Sequence, residues 1–269
     1  MKIGVIGLGV VGKAVHEAFR MQAEKTTRAP LDVVGYDKDG EFSGNWDRIV
    51  TCDLVFLCLP TPTLADGSQD TAAIQDVSNK LKEDQFSGVI VIKSTVLPGT
   101  TKRLAEAYGL TFAHNPEFLK ASQPLVDFLS LRNEIVSGDQ PSVALVRQAY
   151  KYMPWKEVVE FRDFRVTETA KYGRNTLLAT TVSHWNEFFE VCQAQGVRFE
   201  DMRRALLCIG EISSTHSQVP GPDGKLGWGG SCFPKDTVAF QAHIRSLGIK
   251  CEILDAAISG NLRRRQEAV

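Results

Sequence analysis

Six residues near the N-terminus, Gly7-Leu8-Gly9-Val10-Val11-Gly12, limit what this chain can become more than any other stretch does. A short β-branched run, Lys2 to Ile6, breaks straight into them, and a helical pattern at Lys13 to Met21 follows. Strand, glycine turn and helix, in that order, are the setting a dinucleotide fingerprint requires. Gly7 makes the tight turn, Gly9 lets the backbone approach a pyrophosphate, and Gly12 allows the helix to pack on the strand. Val10 and Val11 stand where the helix N-terminus collects phosphate charge. A second apolar run, Leu31 to Tyr36, ends at Asp37, 25 residues past Gly12. A carboxylate there accepts hydrogen bonds from ribose hydroxyls and repels a 2′-phosphate, so the expected cofactor is NAD rather than NADP.

Further strands are expected at Asp53 to Leu59, Val89 to Lys93, Leu110 to Ala113, Glu134 to Ser137 and Glu157 to Glu160. Helical segments at Thr71 to Lys82, Thr100 to Tyr108 and Ser142 to Tyr150 alternate with them, which argues for a parallel sheet covered on both faces. From Val166 the period changes. Val166 to Gln195 has no proline and one glycine, with apolar residues at helical spacing, so one long helix is expected. Lys171 and Asn175 lie four apart on it, either as a functional pair or as an exposed polar one. The expected fold class is α/β: a Rossmann-like, doubly wound parallel sheet followed by an all-helical domain with a long central helix. The division falls at 1–163 for dinucleotide binding and 164–269 for the helical part, whose long helix is a candidate dimer seam.

In sheets of this type ligands lie beyond the carboxyl ends of the strands. Those ends read Pro60-Thr61-Pro62-Thr63, Lys93-Ser94-Thr95 through Thr100, and His114-Asn115-Pro116-Glu117-Phe118-Leu119-Lys120. In the helical part a loop from Ser213 to Gly230, too polar and too rich in glycine and proline for a core, leads into Gly227-Trp228-Gly229-Gly230-Ser231-Cys232-Phe233-Pro234-Lys235-Asp236. Glycines before a cysteine keep the backbone approachable, and Lys235 and Asp236 bring one charge of each sign near the thiol, a setting for a covalent nucleophile. The plainer alternative is a glycine-rich loop around a buried cysteine. A helix is expected to start at Asp236 and run to about Leu247, with a last one from Ile253.

The formal charge of −1 gives no reason to expect nucleic acid or an anionic membrane. The cluster Arg263-Arg264-Arg265 reads as a solvated helix face. Six cysteines lack metal or redox spacing, five histidines are scattered, and no metal site is expected. Cys58, Cys192 and Cys208 suit reduced core thiols. With no membrane-length apolar run and no leader pattern, a cytoplasmic protein is expected.

Taken together, Gly7 to Gly12, Asp37, Leu59-Pro60-Thr61-Pro62, Lys93-Ser94-Thr95, Asn115-Pro116-Glu117-Phe118-Leu119, Lys171 with Asn175, and Gly227 to Asp236 resemble the UDP-glucose/GDP-mannose dehydrogenase family, in the family's order. The resemblance implies NAD-dependent, four-electron oxidation of a nucleotide-sugar primary alcohol to a carboxylate, with two NAD used per turnover; the long helix, for its part, predicts a homodimer. It implies that Cys232 holds the intermediate aldehyde as a thiohemiacetal and then a thioester. Asp236, with a water helped by Thr95, would assist proton removal from the alcohol, while Lys171 and Asn175 stabilise charge on oxygen. Glu117 would be the base for thioester hydrolysis, its pKa raised by shielding toward the working range. Pro60, Thr61, Thr95 and Lys235 would join the glycine turn in holding NAD. Phe118, Leu119, Lys120, Gly229 and Gly230 would contact substrate with Lys171 and Asn175.

The chain departs from the family pattern at Ala121-Ser122, where a glutamate and glycine are usual, and at Ser217 to Gly221, where an arginine, isoleucine and glycine are usual. It resembles a shortened member, ending near Asn261 to Arg265 where a C-terminal nucleotide-binding domain would begin. Two other readings stand beside this one. A two-electron β-hydroxyacid dehydrogenase also uses lysine and asparagine four apart but needs no cysteine. A non-catalytic dinucleotide-binding remnant would not require Thr95, Glu117, Lys171, Asn175, Cys232 and Asp236 together.

Overall fold

The structure is a computed structural model that describes residues 1–25, 30–64 and 67–266. Among the described residues seven strands form one sheet in the order β2-β1-β3-β4-β5-β6-β7. They are β1 (Lys2–Ile6), β2 (Asp32–Tyr36), β3 (Leu54–Leu57), β4 (Val89–Ile92), β5 (Thr111–His114), β6 (Asn133–Gly138) and β7 (Glu157–Phe161). The helices are α1 (Val10–Lys25), α2 (Trp46–Ile49), α3 (Ala72–Glu83), α4 (Thr100–Tyr108), α5 (Pro124–Ser130), α6 (Gln140–Tyr150), α7 (Phe164–Gln195), α8 (Phe199–Leu207), α9 (Phe233–Ser246) and α10 (Glu252–Gln266). The chain divides into two compact units, Met1–Pro62 with Gln69–Lys171 and Thr63–Ser68 with Tyr172–Val269.

In the first unit the strand period of two sorts the apolar side chains onto two cores. Ile3, Val5, Leu54, Phe56, Val89 and Val91 face one side, where α1 supplies Val15, Ala18 and Phe19, α5 supplies Phe128, and α6 supplies Val143, Val146 and Tyr150. Their neighbours Ile6, Val55, Leu57, Ile90 and Ile92 face the other, against Ile49, Ile74, Leu81 and Leu104. Burial on both faces is why these strands read as continuous apolar runs.

The sheet is parallel, as expected, in every pair but one. β6 pairs antiparallel with β5, through Ala113 opposite Gly138 and His114 opposite Ser137, while β7 runs parallel to β6. The connection from β5 holds only the seven-residue α5, seated against α1 in the first core, and the chain re-enters the sheet from the opposite end.

α7 runs 32 residues, roughly 48 Å at 1.5 Å per residue, and belongs to the second unit from Tyr172 on. Trp185, Cys192, Phe199 and Val219 form one buried cluster, and Ala179, Val182 and Trp228 another. Three sequence expectations fail here. The Ser213 to Gly230 loop is partly core, since Ser217, Val219, Gly227 and Trp228 are buried. The arginine cluster is not a solvated face: Arg264 is buried and its Nε and Nη2 donate to the Glu190 carboxylate at 2.6 and 3.1 Å, while Arg265 pairs with Asp223 at 2.6 Å. Cys208 is exposed, whereas Cys52, Cys192 and Cys251 are buried and Cys58 is partly so.

Candidate active site

The glycine turn of the first unit is built by contacts that admit no side chain. Gly7 lies at φ +86°, and a Cβ there would stand 2.7 Å from the Cys58 carbonyl oxygen. A Cβ on Gly12 would run into the Gly7 carbonyl oxygen, so α1 closes down on the turn. Over Gly9 there is nothing within 4 Å, and Gly9 and Val10 are exposed, while Val11 is half-buried. No acidic residue occupies the first turn of α1, so its N-terminal N–H groups keep their positive field. Asp37 ends β2 and accepts the Leu8 N–H at 2.7 Å on Oδ2 and the Asp39 N–H at 3.4 Å on Oδ1. That carboxylate keeps acceptor capacity for ribose hydroxyls. An open glycine floor, a bare helix end and an acid at the next strand's tip fit NAD.

The exits of β3 and β4 are tied together beside this turn. Thr61 Oγ1 donates to the Thr95 carbonyl at 2.7 Å, and Gln69 Nε2 reaches the same oxygen at 2.6 Å. Ser94 Oγ accepts from Leu59 N–H at 2.8 Å and donates to the Leu59 carbonyl at 2.7 Å. Thr61 and Thr95 are buried by this, and Pro60 is exposed.

After β5 the chain presents Glu117 to Lys171. The Lys171 ammonium is 2.7 Å from Glu117 Oε1 and 2.6 Å from its carbonyl, 5.4 Å from the Phe118 ring centroid, and 3% exposed. Glu117 Oε2 also accepts the Leu119 N–H at 2.7 Å. Burial pushes the Glu117 carboxyl up, but the Lys171 charge and hydrogen bond, the Leu119 N–H and the Lys93 charge outweigh it. Its pKa therefore lies below the ordinary value, opposite to the direction expected from shielding alone, because its cation is in contact. Lys120 is exposed, its N–H held by Asp127 at 2.8 Å.

The second unit gathers another set. Cys232 is exposed and is the N-cap residue of α9, which begins at Phe233, not at Asp236 as expected. The reading of a buried cysteine is thereby excluded. Asp236, one turn on and 1% exposed, caps nothing: Oδ2 accepts from Asn175 Nδ2 at 2.6 Å and Oδ1 from Lys235 Nζ at 2.5 Å. Asn175 is 2% exposed. A buried carboxylate held by an amide and an ammonium has a fixed direction and no freedom to swing. Gly229 is half-buried, and Gly230 is exposed with open space about it.

Sequence reading gave no role to the groups that hold the Glu117 arm. Asn115 Oδ1 accepts from Lys93 Nζ at 2.8 Å and from the Tyr150 hydroxyl at 2.6 Å, and its Nδ2 donates to Glu134 Oε2 at 3.1 Å and the Ile135 carbonyl at 3.0 Å. Glu134 also pairs with Lys156 at 2.7 Å, and all three charged side chains are at most 1% exposed. Burial raises the Glu134 pKa, but the two lysine charges and the hydrogen bonds from Lys156 and Asn115 bring it below the ordinary value. Glu168 on α7 accepts the Gly99 N–H at 2.6 Å and the Thr101 N–H and hydroxyl at 2.8 and 2.7 Å. An acid inside an apolar strand was the available signal for Glu134; nothing local marks Glu168, whose partners are 67 and 69 positions away.

Two sequence profiles of one family match the chain: the NAD binding domain of the UDP-glucose/GDP-mannose dehydrogenase family over residues 38–154 and that family's central domain over 165–263. The UDP-glucose 6-dehydrogenase AglM of Haloferax volcanii is 33% identical over 97% of this chain. The chain belongs to the UDP-glucose/GDP-mannose dehydrogenase family. Its first unit carries that family's NAD-binding domain, and NAD is its cofactor. It spans 69% of the AglM length and about half the length of the UDP-glucose 6-dehydrogenases of three Rickettsia species and Pseudomonas aeruginosa that it also matches. A UDP-glucose dehydrogenase from Pyrobaculum islandicum superposes with a TM-score of 0.83 at 24% identity, over 97% of this chain and 68% of that one. The Mycobacterium tuberculosis 3-hydroxyisobutyrate dehydrogenase shares the fold at a TM-score of 0.73 and 17% identity, over 95% of this chain and 90% of that one. No helix among the described residues is long and apolar enough to cross a membrane.

Proposed function

We propose that this family member oxidises the primary alcohol of a nucleotide sugar, UDP-glucose being the substrate its relatives' names point to, to the carboxylate in two two-electron steps through Cys232. The observation that carries this reading is the exposed thiol at the N-cap of α9 with a buried carboxylate, Asp236, one turn behind it between Asn175 and Lys235. NAD, when bound, takes the hydride removed at each oxidation. Asp236, with a water molecule placed by Thr95, receives the alcohol proton, and Lys171 and Asn175 donate to the oxygen on which charge develops. The Cys232 sulfur then bonds to the aldehyde carbon, and its proton goes to base. Loss of hydride from that carbon leaves a thioester. Glu117 takes a proton from water as the water oxygen bonds to the carbonyl carbon, and the carbon–sulfur bond breaks to return Cys232 and release the acid. The Lys171 contact keeps Glu117 ionised through the neutral range, as a base must be. Pro60, Thr61 and Lys235 are assigned to the NAD side, and Phe118, Leu119, Lys120, Gly229 and Gly230 to the sugar nucleotide.

Counting NADH per nucleotide sugar consumed tests the reading. Two NADH and an acid are expected, and Cys232→Ser should lower acid formation by more than about a hundredfold with NAD affinity unchanged. One NADH and a carbonyl product would instead select the two-electron reading, for which the shared fold of a β-hydroxyacid enzyme is the support. NAD binding with no turnover would select the non-catalytic one.

A further inference from the structure

Both ends of the short segment before Cys232 are fastened to helices by side chains that the reaction does not use. Gly227 is at φ +72° and donates its N–H to Asn186 Oδ1 at 2.8 Å; Trp228 donates its N–H to Asn261 Oδ1 at 2.6 Å and its indole N–H to Ser183 Oγ at 3.0 Å. Asn186, Asn261 and Trp228 are 2, 6 and 5% exposed, so these bonds form away from water. A Cβ at Gly227 would run into the Asn261 carboxamide oxygen, so the glycine is required by the amide that grips the next residue, Trp228. The Arg265 guanidinium lies on the next residue: all three atoms nearest a Cβ built on Gly229 belong to it, at 3.0–3.2 Å. Its Nη1 holds Asp223, in the preceding loop, at 2.6 Å. Arg264, between the two, is locked to Glu190 of α7, which fixes the register of α10. On the far side Phe233 packs against the cluster of Ala179, Val182 and Trp228, and Asp236 N–H bonds the Cys232 carbonyl at 2.8 Å. Only Gly229, Gly230 and Ser231 separate the clamped Trp228 from the cysteine.

We infer that Asn261 and Arg265, on the last helix, are positioning residues for Cys232: by holding the Trp228 N–H and covering Gly229 they set where the thiol stands at the end of α9. The arginine-rich end of this chain is then part of the cysteine's support. The inference rests on Cys232 being the reactive thiol of the proposed function. A chain in which this clamp is loosened keeps its fold but lets the cysteine leave the helix end, where the partial positive charge of α9 assists an attacking sulfur.

The test is the rate of iodoacetamide alkylation at Cys232, read by peptide mass spectrometry on the full chain, with exposed Cys208 of the same unit as internal reference. Asn261→Leu removes the acceptor while keeping the volume, and should slow Cys232 by at least about threefold with Cys208 unchanged. Asn261→Asp keeps an acceptor oxygen and should return the rate to within about twofold of the native chain. Arg265→Met keeps bulk over Gly229 but loses Asp223, and should slow Cys232 less than Asn261→Leu does. An unchanged Cys232 rate in Asn261→Leu, failure of Asn261→Asp to restore it, or a parallel change at Cys208 would overturn the proposal. Because alkylation needs no substrate, these results stand apart from the NADH count, which alone decides whether the thiol is catalytic.

Discussion

Glu134 carries one negative charge between two buried ammonium groups, with Lys156 at 2.7 Å and Lys93 at 3.7 Å. Removing it would leave two cations in an apolar wall beside Phe128 and Tyr150. Because its folded pKa lies below the ordinary 4.5, the ionised form is favoured by folding. The stability this confers is complete above about pH 4.5 and is lost as pH falls through the lower, folded value. Glu134→Gln should therefore lower the melting temperature at pH 7, by an amount corresponding to about 3–5 kcal/mol. It should also flatten the decline of stability below pH 4.5; thermal melts of both chains from pH 3 to 7 measure this, and parallel curves would count against it. At the same scale Asn115 spends its whole amide on four bonds, which is why the turn to Glu117 leaves β5 in one direction.

Among the elements, the start of α7 is the most heavily fastened. Thr167 Oγ1 meets His114 Nδ1 at 2.7 Å and Ser137 Oγ at 2.6 Å, Glu168 takes the first N–H groups of α4, and Lys171 follows one turn later on Glu117. Thr167 and Glu168 thus give the lysine a helix that cannot rotate. Glu168 is fully buried, and burial pushes its carboxyl above the ordinary range even though three hydrogen bonds favour the charge. Glu168→Ala should cost about 1–3 kcal/mol, since the buried Thr101 N–H and the half-buried Gly99 N–H then lose their acceptor. Faster amide exchange at Gly99 and Thr101 than at Arg103, which keeps its in-chain acceptor Gly99, is the expected signature. Uniform acceleration across α4 would mean general loosening instead.

At the scale of the whole molecule, the second unit leaves three large apolar residues exposed along one face of α7. Leu177 is 70% exposed, Phe188 40% and Val191 51%, and with Thr181 and His184 they recur at alternating four- and three-residue steps. That spacing is the seam by which one helix packs against another, and it supports the proposal that two copies associate through α7. Light scattering should give twice the 29.7 kDa chain mass, and Leu177→Asp should return it to the single mass at micromolar concentration. A native chain that stays at the single mass would refute the seam.

How much of this was legible without coordinates follows from the range over which each feature is encoded. The glycine turn, Asp37, every strand and the long helix could be read because their causes are local: a φ only glycine adopts cheaply, a period of two or of 3.6, a residue one strand away. The motif residues were likewise visible, and the family they resemble is the family the chain belongs to. What could not be read were α2 and α5, at four and seven residues too short to show a period, and the antiparallel entry of β6, which depends on where α5 comes to rest. The direction of the Glu117 shift and the burial of Arg264 also stayed hidden, because each turns on a partner brought to within 3 Å from 54 or 74 positions away. Local sequence determined which groups this protein could bring to its chemistry. Only the tertiary structure decided how they are charged and held, since the Coulomb and desolvation energies that set a buried group's state depend on distances that no stretch of sequence contains.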